Sequence, residues 1–324
     1  MSPDLPAPLR AALDRALEGV PRKGLAERAA RTSQAYRAGQ PSSGVIREAD
    51  DALAYALTRL PATYAACATV LGEAARMAPG FAPNTLLDAG AGTAAASWAA
   101  ATVWPSLRAV TWLDASPHFL SLAATLAAEG PAALRAAEAH RCDLTAAGPW
   151  ATADLVVTSY ALAEIAADKQ ASMVSELWTA CDGVLAIIEP GTPAGHARLL
   201  AARNVLFDQA ANILAPCPHR AACPLVGEDW CHFSVRLPRS RDHRLAKGAE
   251  VPFEDERFAY LVAARPEIVA SPYRPRVLAP PRTGKPGIAL KLCGLDGQAE
   301  TRLVGKRDKP AYALVRRLGW GDTL

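Results

Sequence analysis

Between Ala215 and Phe233 the sequence reads APCPHRAACPLVGEDWCHF, setting three cysteines among prolines, histidines and acids, a pattern that points to metal chemistry. Cys217, Cys223 and Cys231 are separated by five and seven residues, and Cys293, in ALKLCG, is a fourth sulfur downstream. Thiolates are soft ligands that suit zinc or an iron–sulfur cluster, and roughly four per site is usual for either. Structural zinc prefers pairs roughly two to four residues apart, which this chain lacks, whereas a wider cluster accepts looser spacing. Zinc with His219 or His232 in place of one sulfur stays open as the alternative. Pro218 and Pro224 follow two of the cysteines directly and keep the stretch from closing into a helix. Cys67, Cys142 and Cys181 fall in apolar helix or strand patterns and read as small core residues.

The elements that must position these sulfurs begin upstream. From Pro6 to Arg37 the pattern is helical, with Leu9, Leu13 and Leu17 at four-residue spacing and Pro21 closing the first helix. A second helical stretch runs from about Arg47 to Met77, with an interruption expected at Pro61. At Thr85 the period changes. TLLDAGAGTAAASWAAA reads as a buried strand, a glycine turn and a helix, in which Gly90 and Gly92 permit close approach of a ligand. The helix after Thr93 aims its free N–H groups into the turn. Asp88 ends this strand and Asp114 ends the next, AVTWLDAS, where an acid suits ribose hydroxyls. The arrangement departs from the dinucleotide fingerprint and resembles the first motif of class I S-adenosylmethionine-dependent methyltransferases, with Ala94 where many members have a further glycine.

HRCDLT, DLVVTSYALAEI and GVLAIIEPGT supply further strands separated by helices, so a parallel, doubly wound α/β sheet is expected, with ligands outside the strands' carboxyl ends. Asp88, Gly90, Gly92, Thr93, Asp114, Asp143 and Ser159 are the expected cofactor contacts, Asp143 on the adenine side under the methyltransferase analogy. The fourth strand ends Thr158-Ser159-Tyr160-Ala161 rather than in the Asn/Asp-Pro-Pro-aromatic tetrapeptide that orients an amine in nucleic-acid methyltransferases. Tyr160 and Glu164 are the catalytic candidates.

The net charge of +3 conceals an asymmetry. Residues 217–324 hold 19 Lys and Arg against 12 Asp and Glu, net +7, while the preceding residues hold 16 against 20, net −4. Arg236, Arg239, Arg241, Arg244 and Lys247 form a basic run, and Lys306, Arg307 and Lys309 lie in a basic tail with Tyr312 and Trp320, a combination suited to RNA phosphates and bases. The competing reading pairs the basic run with Glu254, Asp255 and Glu256. RFAYLVAAR reads as a strand completing the sheet, and RVLAPP, GIALKLC and AETRLV as a small β module. No apolar run reaches the length of a membrane span. Asp4, Asp14 and Glu18 fit neither a secretory signal nor an acid-poor transit peptide, so a cytoplasmic, reducing location is the expectation.

LLDAGAGT, TSYALAE, EPGTPAG, APCPH, CPL, DWCHFSVRLPRS, HRLAKGAE, EDERFAYL and the terminal WGD together make the chain resemble the methyltransferase-like family associated with the mitochondrial small ribosomal subunit and its bacterial relatives, over roughly residues 44–322. The resemblance implies a Rossmann-like class I methyltransferase fold, S-adenosylmethionine binding, association with small-subunit rRNA or the pre-ribosomal small subunit, and a four-iron four-sulfur cluster on Cys217, Cys223, Cys231 and Cys293. The organisation expected is a helical cap over 1–80, the methyltransferase-like core over 81–215, a cysteine-rich and basic insert over 216–250, a return to the core sheet over 251–272 and a basic β module over 273–324. A zinc-stabilised methyltransferase of a small molecule or protein is the alternative function.

Overall fold

The computed structural model describes residues 4–37, 42–145 and 149–324. Four helices open the chain: α1 (Ala7–Ala16), α2 (Arg22–Arg37), α3 (Ser42–Val45) and α4 (Ala49–Met77). The leucine spacing of α1 buries Leu9 and Leu13, with Leu17 just beyond, while Asp14 and Glu18 face outward. Asp51 starts α4 by accepting from the Glu48 and Arg47 backbone N–H groups at 3.2 and 3.1 Å. Pro61 lies inside α4 and does not interrupt it. Leu57, Leu60, Ala62 and Tyr64 around it are all buried, so packing offsets the missing backbone donor.

The core alternates strand and helix: β1 (Thr85–Ala89), α5 (Ala95–Val103), β2 (Ala109–Asp114), α6 (Pro117–Ala127), α7 (Ala132–Arg135), β3 (Glu138–Arg141), β4 (Ala153–Ser159), α8 (Gln170–Thr179), β5 (Cys181–Pro190) and α9 (Pro193–Asp208). Then come β6 (Asn212–Ala215), β7 (Phe233–Pro238), α10 (Arg241–Lys247) and β8 (Phe253–Ala264). The main sheet has the order β3-β2-β1-β4-β5-β8-β6, with β7 also paired to β8. From β3 to β5 all neighbours are parallel, and β8 is antiparallel to β5, β6 and β7. This is the doubly wound, Rossmann-like α/β sheet expected, and its order reverses between β1 and β4.

Period-two alternation splits the core between the two faces. Leu86, Val184, Ala186 and Ile188 pack with the side that carries α4 and α5, whereas Leu87, Leu185 and Ile187 pack against α8 and α9. A second, antiparallel sheet follows, made of β9 (Arg276–Val277), β10 (Arg282–Thr283), β11 (Gly287–Cys293) and β12 (Ala299–Gly305), closed by α11 (Lys309–Val315) over Val277, Ile288, Leu290 and Leu292. Arg276 anchors it to α4 through Glu73 at 2.6 Å. Among the described residues, no helix is long and apolar enough to cross a membrane.

Candidate functional site

At the carboxyl end of β1 the chain turns through Gly90 (φ 76°), Gly92 (φ 53°) and Ala94 (φ 60°) before α5 begins. A side chain at Gly90 would stand 2.6 Å from the Ala161 Cβ, so glycine is required both by backbone conformation and by the loop after β4. Asp114 braces the turn: Oδ2 accepts from the Gly92 N–H at 2.8 Å and Oδ1 from the Ser116 N–H at 2.8 Å. Asp88 is fully buried; its Oδ2 accepts from the Ser97 backbone N–H at 3.1 Å and hydroxyl at 2.6 Å, and its Oδ1 has no partner among the described residues. Burial pushes the Asp88 carboxyl up to about 6. Thr93 is buried beside them, and Ser159 is half-buried at the end of β4.

Asp143 stands apart from this group in its bonding. It is exposed beyond β3 and accepts from the Thr145 backbone N–H and hydroxyl, both at 2.8 Å, bonds that hold its carboxyl below the usual range. Glu189, at the end of β5, is fully buried, and its Oε2 accepts from Arg198 Nε at 2.6 Å. Burial outweighs that arginine and pushes the Glu189 carboxyl up to about 7.

Both catalytic candidates are engaged internally. Tyr160, at φ 61°, donates its hydroxyl hydrogen to Glu256 Oε1 at 2.9 Å, and Arg59 donates to both oxygens of that carboxylate, at 3.0 and 3.3 Å. Glu164 accepts from the Ser42 backbone N–H at 2.7 Å and hydroxyl at 2.6 Å. The Arg59–Glu256–Tyr160 group and the Glu189–Arg198 pair were not legible in sequence, because their members come from distant segments or look like ordinary surface charge.

Cys217, Cys223, Cys231 and Cys293 border one cavity of about 40 Å³, together with His196, His219, Arg203 and Arg276. The segment between β6 and β7 brings three of the sulfurs, and the end of β11 brings the fourth. Burial raises the Cys217 thiol; burial and the other three cysteines raise Cys231 well above its ordinary value, and Cys293 is pushed up to about 12. Sulfurs so placed become thiolates only when positive charge is brought to them. Among the described residues no three His, Cys, Asp or Glu side chains converge closely enough to hold one metal ion. The ligated four-cysteine cluster implied by the resemblance is therefore not shown; what is shown is four sulfurs around one void.

Arg203 tests whether an anionic centre fits there. Its side chain is buried, its Nη2 donates to the His219 and Ala221 carbonyls at 3.0 and 2.8 Å, and its Nε has no hydrogen-bond partner among the described residues. Among the described residues no carboxylate pairs with it. A buried cation without a counter-charge is costly, and a thiolate-bound centre, net anionic, supplies one. His219 reaches the cavity, with Nε2 3.3 Å from Cys293 Sγ; His196, on α9, lies 3.9 Å from Cys223 Sγ. His232 instead stacks on Trp230, with its Nδ1 3.1 Å from the Trp230 carbonyl oxygen. His196, Leu199 and Arg203 recur at helical spacing on one face of α9, a signal available in the sequence but hidden in an ordinary amphipathic pattern.

The basic run divides. Arg236 makes a two-pronged contact with Asp255 at 2.7 and 2.8 Å, Arg239 reaches Glu254 at 3.3 Å, and Lys247 reaches Glu254 at 2.6 Å. Arg241, Arg244, Lys306, Arg307 and Lys309 are exposed, and no carboxylate pairs with them among the described residues.

A family model described as mitochondrial small ribosomal subunit Rsm22 matches residues 49–324. The human ribosome assembly protein METTL17, mitochondrial, is 27% identical over 84% of this chain and 62% of its own length. The Rsm22-cox11 tandem protein 2, mitochondrial, of Schizosaccharomyces pombe is 27% identical over 52% of this chain and 28% of its own. The chain thus spans less than two thirds of either relative. Among solved structures, magnesium protoporphyrin IX methyltransferase of Synechocystis PCC 6803 with bound SAM aligns at TM-score 0.40 and 16% identity over 64% of this chain and 84% of that one. The family and these two relatives are described as mitochondrial, which overturns the cytoplasmic location expected from the opening residues. Asp14 lies on the solvent side of α1 and Glu18 just beyond its end.

Proposed function

Because the chain belongs to the family described as mitochondrial small ribosomal subunit Rsm22, we propose that it assists assembly of a small ribosomal subunit by binding its rRNA. In this reading the turn at Gly90 and Gly92 holds S-adenosylmethionine, with Asp114 fixing the turn and Asp88, Thr93 and Ser159 beneath the cofactor. The helix N-terminus after Ala94 offers backbone donors to its carboxylate. Cys217, Cys223, Cys231 and Cys293 hold a four-iron four-sulfur cluster, which supplies a net anionic, cross-linking centre between the two sheets. Arg241, Arg244, Lys306, Arg307 and Lys309 contact phosphates, since these cations have no internal carboxylate.

The observation that carries the reading is the cavity itself: four sulfurs from two separate parts of the chain border a void that is also lined by a buried arginine, with which no carboxylate pairs among the described residues. The sulfur spacing suits a cluster better than one zinc ion, because Cys217, Cys223 and Cys231 are separated by five and seven residues and are not in the close pairs that zinc prefers. The cavity also makes the metal centre a staple for the C-terminal sheet. Methyl transfer is not needed for this role, and Tyr160 and Glu164 are held in internal hydrogen bonds rather than free to act on a substrate.

The test uses full-length protein purified without oxygen, analysed for iron and sulfide and titrated with small-subunit rRNA at several salt concentrations. Iron and sulfide near four of each per chain, with RNA affinity falling steeply as salt rises, is the expected result. Stoichiometric zinc without iron would reject the cluster, and RNA binding indifferent to salt would reject the phosphate-contact reading. Labelled cofactor supplied with immature subunits separates binding from methylation, since label appearing in RNA would establish transfer.

A further inference from the structure

We infer that His219 and His196 donate hydrogen bonds to the sulfurs of Cys293 and Cys223 and so set the reduction potential of the centre those sulfurs hold, an assignment that rests on the cluster reading above. The two imidazole nitrogens nearest the sulfurs are Nε2 in both cases, at 3.3 Å for His219 and 3.9 Å for His196. A metal-bound cysteine sulfur carries no proton and can only accept. The facing nitrogen must therefore carry the hydrogen, which selects the Nε2–H tautomer on each ring.

The rings are held where this geometry is useful. His196 is buried in the first turns of α9, whose Thr192 cap accepts from the Gly195 N–H at 3.1 Å. His219 belongs to the cysteine segment, and Arg203, two helical turns after His196 on α9, grips its carbonyl at 3.0 Å. One helix thus fixes one donor directly and the other through an arginine. Adding an electron to the cluster increases negative charge on its sulfurs, so an N–H aimed at sulfur favours the reduced form and raises the potential. Burial strengthens the effect, since Cys293 and His196 are both shielded from water.

The experiment is a redox titration of the anaerobically purified full chain, reduced with dithionite at a single pH and followed by electron paramagnetic resonance. His219→Phe, His219→Gln, His196→Phe and His196→Gln are compared with the parent. Iron content and visible absorption report whether each variant keeps its cluster. The phenylalanine variants should lower the potential, with the reduced-to-oxidised ratio at fixed potential falling about tenfold for His219, equivalent to about 59 mV for a one-electron couple. His196, at the longer distance, should shift less. Glutamine, whose side-chain amide can still donate, should restore most of the loss. A cluster-bearing phenylalanine variant with the parent's potential overturns the inference while leaving the cluster reading intact. Equal shifts in phenylalanine and glutamine variants also overturn it, since packing alone would then explain both. A parent protein that binds no iron ends the cluster reading and the inference with it.

Discussion

The Tyr160 hydroxyl and the Glu256 carboxylate meet at 2.9 Å at the carboxyl end of β4, where a methyltransferase acting on an amine would place its substrate-orienting residues. Arg59 from α4 completes the group, tying the N-terminal helices to β8. The arrangement is a brace. Glu256→Gln should leave Arg59 without a counter-charge and lower unfolding free energy by about 2 kcal/mol, below the cost of breaking a fully buried pair because Arg59 is partly exposed. Tyr160→Phe should cost about 1 kcal/mol. Urea denaturation measures both, and an unchanged midpoint in Glu256→Gln would contradict the brace.

Two buried carboxyls make stability depend on pH in a definite direction. Asp88 is raised from 3.8 to about 6 and Glu189 from 4.5 to about 7, so the folded chain keeps protons that the unfolded chain releases. Their contribution is complete below the unfolded values and is lost as pH rises through about 6 and about 7. Thermal unfolding between pH 5 and 7.5 should therefore show a falling contribution from these groups. Asp88→Asn and Glu189→Gln should each flatten the profile; a slope as steep as the parent's would count against the assignment.

On the proposed cluster reading, removing one sulfur should uncouple the C-terminal sheet. Cys223→Ser protein, prepared without oxygen, is expected to lose most of its iron and visible absorption, and limited proteolysis should then cut more readily between Pro216 and His232. A variant that keeps full iron content would show that Cys223 is not a ligand.

RNA affinity should depend on which cations are already occupied. Arg241→Ala and Arg244→Ala should each reduce the slope of log affinity against log salt by about 0.7 on single-stranded RNA, whereas Arg236→Ala, whose guanidinium sits on Asp255, should reduce it less. Equal effects at all three positions would mean that the internal pairs open on binding.

Much of the crevice was legible because its constraints are local. Gly90, Gly92, Asp88 and Asp114 lie within a strand, a turn and the next strand; positive φ favours the two glycines, and the two carboxylates accept from nearby Ser97 and Gly92. The cysteine cavity was legible in part: the sulfurs announced themselves by type, while His196 and Arg203 did not, because on α9 they occupy spacing that any buried helix face shares. Pro61 misled for the converse reason, since a local helix-breaking rule yields where both sides of the residue are buried. The sequence offered Glu254, Asp255 and Glu256 as partners for the basic run, and the register of β7 beside β8 is what sets Arg236 against Asp255.

The chain leaves the main sheet after Ala215 and re-enters at Phe233, and both departure and return are stitched to the same strand, at Val262 and Phe258 of β8. The segment between them is therefore a closed loop and not a dangling arm, and the conformational freedom open to it is bounded by ends that stay put. Cys293 comes to the cavity from the other sheet, so of the four sulfurs it alone is not carried by the loop between those two pairings.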